Sequence, residues 1–168
     1  FSVLSAVMHA KLVIEEYTGK RVMLLFSYPV SRPKVLLSKL ILVSAFTVTA
    51  MVLSSLVIFT VFGITERIVP LVNDSFTLAV FGRAAEITLV LAFAAAGIGT
   101  VAAGIGFMMK SVPAAIVAAV LAASVMCNIA MYATDSLNAM YLPAAGILIA
   151  AAAVSLYFAG KVNRMEAV

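Results

Sequence analysis

Four long stretches without a charged residue constrain this chain more than any other feature. They cover residues 40–64, 87–109, 111–134 and 136–160. A bilayer core about 30 Å thick is crossed by about 20 apolar residues in a helix, so each stretch is long enough to span it. Because lipid offers no hydrogen bonds, a spanning segment must satisfy its backbone internally. The sequence therefore predicts an all-α, polytopic membrane bundle.

The start of the chain predicts one further, incomplete helix. Residues 1–10 are apolar apart from His9 and are too short to span. We expect residues 1–14 to form the inner half of a helix whose beginning is missing, since the basic leader and cleavage site of a signal peptide are absent. The chain, 1–168, is then one transmembrane domain. Its full spans are predicted at 40–64, 84–109, 112–134 and 141–160.

Composition excludes several other classes of protein. Apolar residues make up 65% of the chain and charged residues 11%, too few to cover the surface of a water-soluble domain of this size. One cysteine and one histidine leave neither an intramolecular disulfide nor a zinc cluster. We therefore expect no bound metal.

The basic residues predict an orientation. If the region around residues 24–39 is cytoplasmic, the alternating spans place nine basic residues inside and only Arg67 and Arg83 outside. Lysine and arginine in short loops stay on the cytoplasmic side, so this bias favours that orientation. The net charge of +4 then reflects topology and anionic lipid rather than a nucleic-acid partner. The nine are Lys11, Lys20, Arg21, Arg32, Lys34, Lys39, Lys110, Lys161 and Arg164.

The segment between the first two helices, residues 15–39, has an unusual pattern. It opens with acidic and basic residues around a large apolar block, 22–26, which suits a short helix at the membrane surface or against a partner protein. Pro29 and Pro33 oppose a continuous helix, and Ser31 can cap the helix that follows. The segment is predicted to form a cytoplasmic elbow. An ordinary basic loop is the alternative.

This segment resembles the ABC-2 type transporter permeases. In that family, the second and third spans are joined by an acidic residue, a glycine, large apolar residues and the sequence P-V-S-R, followed by a leucine and a lysine. The chain departs from the pattern at Lys20 and Arg21, and at Phe26, where leucine is commoner. The matching residues are Glu15, Gly19, Leu25, Phe26, Pro29, Val30, Ser31, Arg32, Leu36 and Lys39.

The resemblance implies spans two to six of a six-span permease. It also implies that the segment fits a groove of a cytoplasmic ABC ATPase subunit, and that a dimer with a second permease copy or paralogue exports a substrate by alternating access. ATP and magnesium would then bind the partner subunit. The implied coupling residues are Glu15, Glu16, Gly19, Lys20, Arg21, Leu24, Leu25 and Phe26 at the contact, with Pro29, Ser31 and Arg32 holding the elbow.

The chain's own residues agree with a transport subunit that has no ATP site. The sequence contains no G-x-x-x-x-G-K-[ST] loop, and no carboxylate pair or serine with a base occurs at catalytic spacing. We therefore predict neither enzyme activity nor a bound cofactor. The expected location is a bacterial or archaeal cell membrane.

Small and polar residues within the spans suggest packing more than transport chemistry. Hydroxyl groups of the span at 40–64 can bond back to carbonyls of the preceding turn. Asn128 is a candidate for a substrate path or a contact with another helix. The glycine-rich part of the span at 84–109 predicts close helix packing, with a transport hinge as the alternative. Its predicted packing residues are Gly97, Gly99, Ala103, Gly104 and Gly106.

Two other functions stay open from the sequence. A secondary transporter would need ionisable or unwound sites near the middle of the membrane, and the four charge-free stretches contain none. A membrane scaffold or immunity protein would need neither these sites nor an ATPase. Co-purification of an ATPase subunit would favour the permease, and ion-driven flux without ATP would favour the secondary carrier.

Overall fold

The described part of the protein is almost entirely helical. The computed structural model describes residues 1–14, 32–68, 78–132 and 137–165. Residues 15–31, which contain most of the predicted coupling segment, lie outside this part. The helices are α1 (Ser2–His9), followed directly by a π-helical turn (Ala10–Ile14), then α2 (Arg32–Ile68), α3 (Leu78–Met108), α4 (Val112–Tyr132) and α5 (Leu137–Met165).

Four of these helices are long and apolar enough to cross a membrane, as in a multi-pass membrane protein. Each of these stretches overlaps one of the four spans predicted from the sequence. This confirms the prediction of a helical protein with several apolar helices that could span a membrane. They are Lys34–Glu66 in α2, Val80–Met108 in α3, Val112–Met131 in α4 and Met140–Phe158 in α5.

The beginning of α5 differs from the sequence-based expectation. The last span was predicted to begin at residue 141, but the helix begins at Leu137 and carries Pro143 within it. A proline removes one backbone donor, a loss that neighbouring helices make tolerable in membrane helices. The physical reason for the earlier start is packing, because Met140 and Ala144 lie one turn apart and are both buried in the core.

Contacts between helices define their relative directions. Gly97 and Gly104 of α3 face Ile147 and Val154 of α5, two pairs with the same spacing in both helices, so α3 and α5 are parallel. Phe59 near the end of α2 packs on Phe81 near the start of α3, with ring centroids 6.2 Å apart, so these two helices are antiparallel.

The same reasoning applies to the remaining helices. Ser5 lies against Gly99, and Ala10 shares a cluster with Phe107, so α1 is parallel to α3. The three-residue connection between Met108 and Val112 makes α4 antiparallel to α3. The helices therefore alternate in direction along the chain. The beginning of α2, the end of α3 and the end of α5 lie at one end of the bundle.

Helix α3 is the centre of the bundle. In its apolar window 67% of the residues are buried, against 11–17% in the windows of the other three long helices. All of the other helices contact it. Its interior face consists largely of small side chains, and a core cluster joins it to α1, α4 and α5. The buried members of this cluster are Ala6, Ala94, Ile98, Ala102, Ala119, Met126, Met140 and Ala144.

Glycines of α3 lie where neighbouring helices approach closely. A Cβ atom added at Gly97 would lie 2.8 Å from Ile147 Cγ2, and one added at Gly104 would lie 2.6 Å from Val154 Cγ1. At Gly99 an added Cβ would lie 2.7 Å from Ser5 Cβ and 3.3 Å from the Ser5 carbonyl carbon. Real Cβ atoms do not approach neighbours this closely, so these helices pack at distances that only glycine permits. Two further residues, Ala103 and Gly106, are buried.

Threonine hydroxyl groups along α2 form hydrogen bonds within their own helix. The Oγ1 atoms of Thr47, Thr49 and Thr60 donate hydrogen bonds of 2.7–2.8 Å to carbonyls four residues earlier. This confirms the prediction that these hydroxyls bond back to the preceding turn. They therefore lie in an apolar setting without leaving a polar group unsatisfied.

Substitution of Gly99 by alanine is expected to destabilise the bundle. The new methyl group would overlap Ser5 and force the α1 backbone away from α3, at a cost of about 1–3 kcal/mol. The measurement is the free energy of unfolding in mixed micelles titrated with sodium dodecyl sulfate, followed by circular dichroism. Combining Gly99→Ala with Ser5→Gly removes the overlapping atom and should restore part of the loss.

Gly146 of α5 provides the matched control. A Cβ atom added there meets nothing within 4 Å, and alanine forms helices better than glycine, so Gly146→Ala should not lower the free energy of unfolding. Equal stability of Gly99→Ala and Gly146→Ala would contradict the close approach of α1 to α3.

Candidate functional site

The two flanks of the predicted coupling segment meet at one end of the bundle. Ala10, in the turn before residue 15, and Leu36, one turn into α2, are both fully buried in the same apolar cluster. We call this set the end cluster. Its members are Ala10, Leu36, Leu40, Phe107, Ala115 and Phe158.

Two aromatic rings connect the end cluster to the helices that lead away from it. Phe107 of α3 and Phe158 of α5 pack edge to face, with ring centroids 4.8 Å apart. This geometry is the favoured one for aromatic pairs and adds to the packing energy. Leu36 therefore packs in one cluster with the last turns of α3 and with α5. The described residues on both sides of 15–31 therefore meet at this cluster.

The predicted coupling residues themselves fall largely outside the described part of the chain. Arg32 is the first residue of α2, but its side-chain position is not described. Their proposed contacts with an ATPase stay a prediction. The predicted residues that lie outside are Glu15, Glu16, Gly19, Lys20, Arg21, Leu24, Leu25, Phe26, Pro29 and Ser31.

A π-helical turn, Ala10–Ile14, connects α1 to the segment. Its wider ring of hydrogen bonds accommodates one more residue per turn than an α-helix, and such turns occur frequently at functional sites. The sequence does not predict this turn, since the apolar pattern of residues 10–14 carries no signal for it. The turn ends directly before residue 15, where the predicted coupling segment begins.

His9 lies just before the π-helical turn and is fully buried. Its Nδ1 donates a 2.8 Å hydrogen bond to the carbonyl of Ser5, which fixes the ring along its own helix. The other nitrogen, Nε2, has no hydrogen-bond partner among the described residues. The ring is therefore enclosed within the bundle directly before the π-helical turn.

Basic residues concentrate at the same end of the bundle as the end cluster. In the described ranges this end contains Lys11, Arg32, Lys34, Lys39, Lys110, Lys161 and Arg164, by their positions along the helices. At the opposite end the described helices contain Arg67 and Arg83, with Glu66 and Glu86 close by in sequence. Positive charge therefore concentrates at the end of the bundle that contains the end cluster, and such charge attracts anionic lipid headgroups or an acidic protein surface. We call this end the basic end.

Lys110 marks the turn between α3 and α4 at the basic end. Its φ of 50° lies in the left-handed region, and its N–H donates a 3.3 Å bond to the carbonyl of Phe107. The N–H of Ser111 donates a 3.0 Å bond to the carbonyl of Gly106. These bonds close the last turn of α3 in the manner of a helix cap, so α4 can reverse direction within three residues.

At the opposite end a polar contact joins α3 to α5. The hydroxyl of Tyr141 donates a hydrogen bond to the carboxylate of Glu86. The sequence alone gave no indication that Tyr141 is a partner of Glu86. Only the packing of α5 on α3 reveals this partner, because the two residues are far apart in the chain.

Asn128 lies on an exposed face of α4. Its amide Nδ2 donates a 2.8 Å bond to the carbonyl of Ser124, four residues earlier in the same helix. A contact with another helix was one interpretation from the sequence, and in the structure the amide bonds to the backbone of its own helix. A role in a substrate path stays a prediction.

Comparison with known proteins identifies one relative, whose own function is not characterized. No family model matches the chain, and no solved structure matches it significantly. The chain is 35% identical over 121 residues to the uncharacterized protein YcbO of Bacillus subtilis (strain 168). This match covers 72% of the chain and 53% of YcbO, so the chain spans about half the length of this curated relative.

Proposed function

We propose that this chain is the membrane-spanning permease subunit of an ABC-2 type exporter. In this proposal a separate cytoplasmic ATPase hydrolyses ATP, and the permease moves a substrate across the membrane by alternating access. One observation carries the proposal: the P-V-S-R segment resembles the coupling element of this family, and its flanks Ala10 and Leu36 are buried together in the end cluster.

The end cluster supports a mechanical role for the segment. A displacement of residues 15–31 by a partner acts first on the π-helical turn and on the first turns of α2. Packing in the cluster passes this displacement to Phe107 of α3 and Phe158 of α5, because close-packed interiors transmit strain instead of absorbing it. The rigid unit that moves is then a helix, as in hinge and shear transitions of other proteins.

The proposed orientation of the chain in the membrane follows from the distribution of its basic residues. The basic end faces the cytoplasm, since lysine and arginine in short connections are retained there. A cytoplasmic ATPase can then reach residues 15–31 and Arg32. The proposed location is the plasma membrane of a bacterium or archaeon, where the basic residues also face the anionic inner leaflet.

In this proposal the partner subunit binds and hydrolyses ATP. ATP and magnesium bind the ATPase subunit, since this sequence has no phosphate-binding loop. A second permease copy or paralogue completes the transport path. The exposed apolar faces of α2 and α4 offer the surface for this contact.

Charge reversal at the elbow is expected to uncouple the complex. Arg32→Glu, or a glycine inserted after Pro29, should reduce transport and the stimulation of ATP hydrolysis by about tenfold or more, as expected for loss of a buried charge contact at an interface. The measurement is vanadate-sensitive ATP turnover of the complex purified from native membranes by a tag on the full-length permease, with stoichiometric co-purification of the ATPase. Membrane insertion should be unchanged.

Lys110→Glu is the matched control, because Lys110 is also basic and lies in a turn at the basic end but outside the segment. It should leave ATP turnover and co-purification at the level of the unchanged protein. Absence of any ATP-binding cassette subunit from the purified complex, or full turnover in Arg32→Glu, would overturn the proposal.

Accessibility labelling tests the orientation independently. Cys127 is the one cysteine of the chain, so a Cys127→Ala background accepts single cysteines at chosen positions. With a membrane-impermeant maleimide on intact cells, Lys34→Cys and Lys110→Cys should react only after the cells are opened. Asp74→Cys and Asp135→Cys should react at once. The reverse pattern would place the basic end outside and exclude contact with a cytoplasmic ATPase.

A further inference from the structure

An apolar groove opens on the side of the bundle between α2, α3 and α5. Its volume is about 570 Å³, within the range of sites that hold small molecules. Small residues of α3 and α5, among them Ala96, Gly97 and Ala151, are buried and form its floor. Larger residues form its walls, with Ile41 on α2, Phe93 on α3 and Leu148 on α5.

Three of the four hydroxyl groups in the groove are satisfied within their own helices. Thr49, Thr100 and Ser155 donate hydrogen bonds of 2.8–3.0 Å to carbonyls of their own helices. These three therefore offer little to a polar ligand, and apart from Ser44 the rest of the lining is apolar. An occupant of this groove gains affinity from apolar contact along its length.

A lysine stands at the end of the groove. Lys34 is exposed, and it lies on the same stripe of α2 as Leu37, Ile41 and Val48, which line the groove at helical spacing. From Leu37 to Val48 the stripe is about 17 Å long at the rise of an α-helix. Lys34 is one turn beyond its end. The site thus combines an elongated apolar channel with the positive charge of Lys34 beyond one end.

We propose that this groove binds one acyl chain of an anionic phospholipid, with its phosphate at the Lys34 ammonium. The groove opens laterally, the direction from which a lipid chain arrives, and the lysine lies at the basic end, where headgroups of that leaflet lie. This site does not depend on the exporter assignment. It is equally accessible in a chain that has no ATPase partner.

A second copy of the chain is a weaker candidate for the same groove. Lysine is depleted in protein interfaces, and packing a second helix here would bring Lys34 to the edge of an apolar contact. A lipid instead matches both features, since its tail is apolar and its phosphate is negative. Occupation by a second copy is therefore one of the outcomes that the experiment separates.

The absence of tryptophan makes a direct test possible. Phe93→Trp introduces a single fluorophore at the wall of the groove, where Phe93 is 50% exposed. Phe46→Trp is the control reporter, because Phe46 is 52% exposed on α2 but does not line the groove. Both positions lie about four helical turns from the basic end, so they sample similar depths in the bilayer.

The full chain is reconstituted in phosphatidylcholine vesicles that contain brominated phosphatidylglycerol or brominated phosphatidylcholine at equal mole fraction. Bromine quenches tryptophan on contact. Quenching of the tryptophan at position 93 should show that the brominated anionic lipid binds about fivefold more strongly than the zwitterionic one. This ratio is expected for one lysine near an anionic headgroup. At position 46 the two lipids should quench equally.

Two pairs of variants locate the site. In the Phe93→Trp background, Lys34→Gln should abolish the preference, whereas Lys110→Gln, which removes an exposed lysine outside the groove, should keep it. Ala152→Phe fills the groove from an exposed position and should reduce quenching by both lipids. Ala153→Phe, the exposed neighbour that does not line the groove, should not.

Three results would overturn the proposal. Equal quenching by the two lipids at position 93 would exclude recognition of the anionic headgroup. An equal preference at positions 93 and 46 would indicate a general surface effect of charge. Absence of quenching at position 93 by either lipid, with strong quenching at position 46, would show that a second copy of the chain covers the groove.

Discussion

The close approach of helix backbones to α3 is the constraint on which the rest of the structure depends. Within a bilayer, lipid tails solvate a leucine as well as another helix does, so helices associate through close packing rather than through the hydrophobic effect. Gly97, Gly99 and Gly104 provide that packing, because an added Cβ atom at each would overlap Ile147, Ser5 and Val154 in turn. The placement of α1 and α5 follows from these three positions.

The small residues of α3 have two roles in the bundle, which are helix packing and formation of the groove floor. These residues hold α1 and α5 in place, and at Ala96, Gly97 and Thr100 they also form the floor of the lateral groove. Larger side chains return only near the basic end, where Phe107 meets Phe158 and closes the end cluster. The helix therefore carries small side chains through the middle of the bundle and packs through large aromatic side chains at the basic end.

The sequence predicted the features that depend on composition along the chain. Charge-free stretches locate four candidate spans because lipid admits almost no unpaired charge, and back-bonding of Thr47, Thr49 and Thr60 follows from local geometry. It did not predict contacts between distant residues. Tyr141 donates to Glu86 only because α5 packs on α3 at that height.

The uniform apolarity of the helices explains why the sequence did not predict several other features. When every face of a helix is apolar, periodicity does not show which face is buried, so the central position of α3 emerges only from the three-dimensional packing. The early start of α5 has the same origin. Pro143 indicates a boundary to local rules, yet burial of Met140 and Ala144 extends the helix to Leu137. The π-helical turn at Ala10–Ile14 likewise has no local sequence signal.

The elbow and the groove act on the same helix, and this connects the two proposals. Arg32 and Leu36 belong to the first turns of α2, and Leu37 and Ile41 of the next turns line the groove. A displacement of α2 relative to α3 changes the width of the groove, so a bound acyl chain has different contacts in the two positions. A ligand that binds one state better shifts the equilibrium toward it, and the coupling is reciprocal. Taken together, the two proposals imply that an anionic lipid at Lys34 biases the position of the helix on which the proposed coupling segment acts.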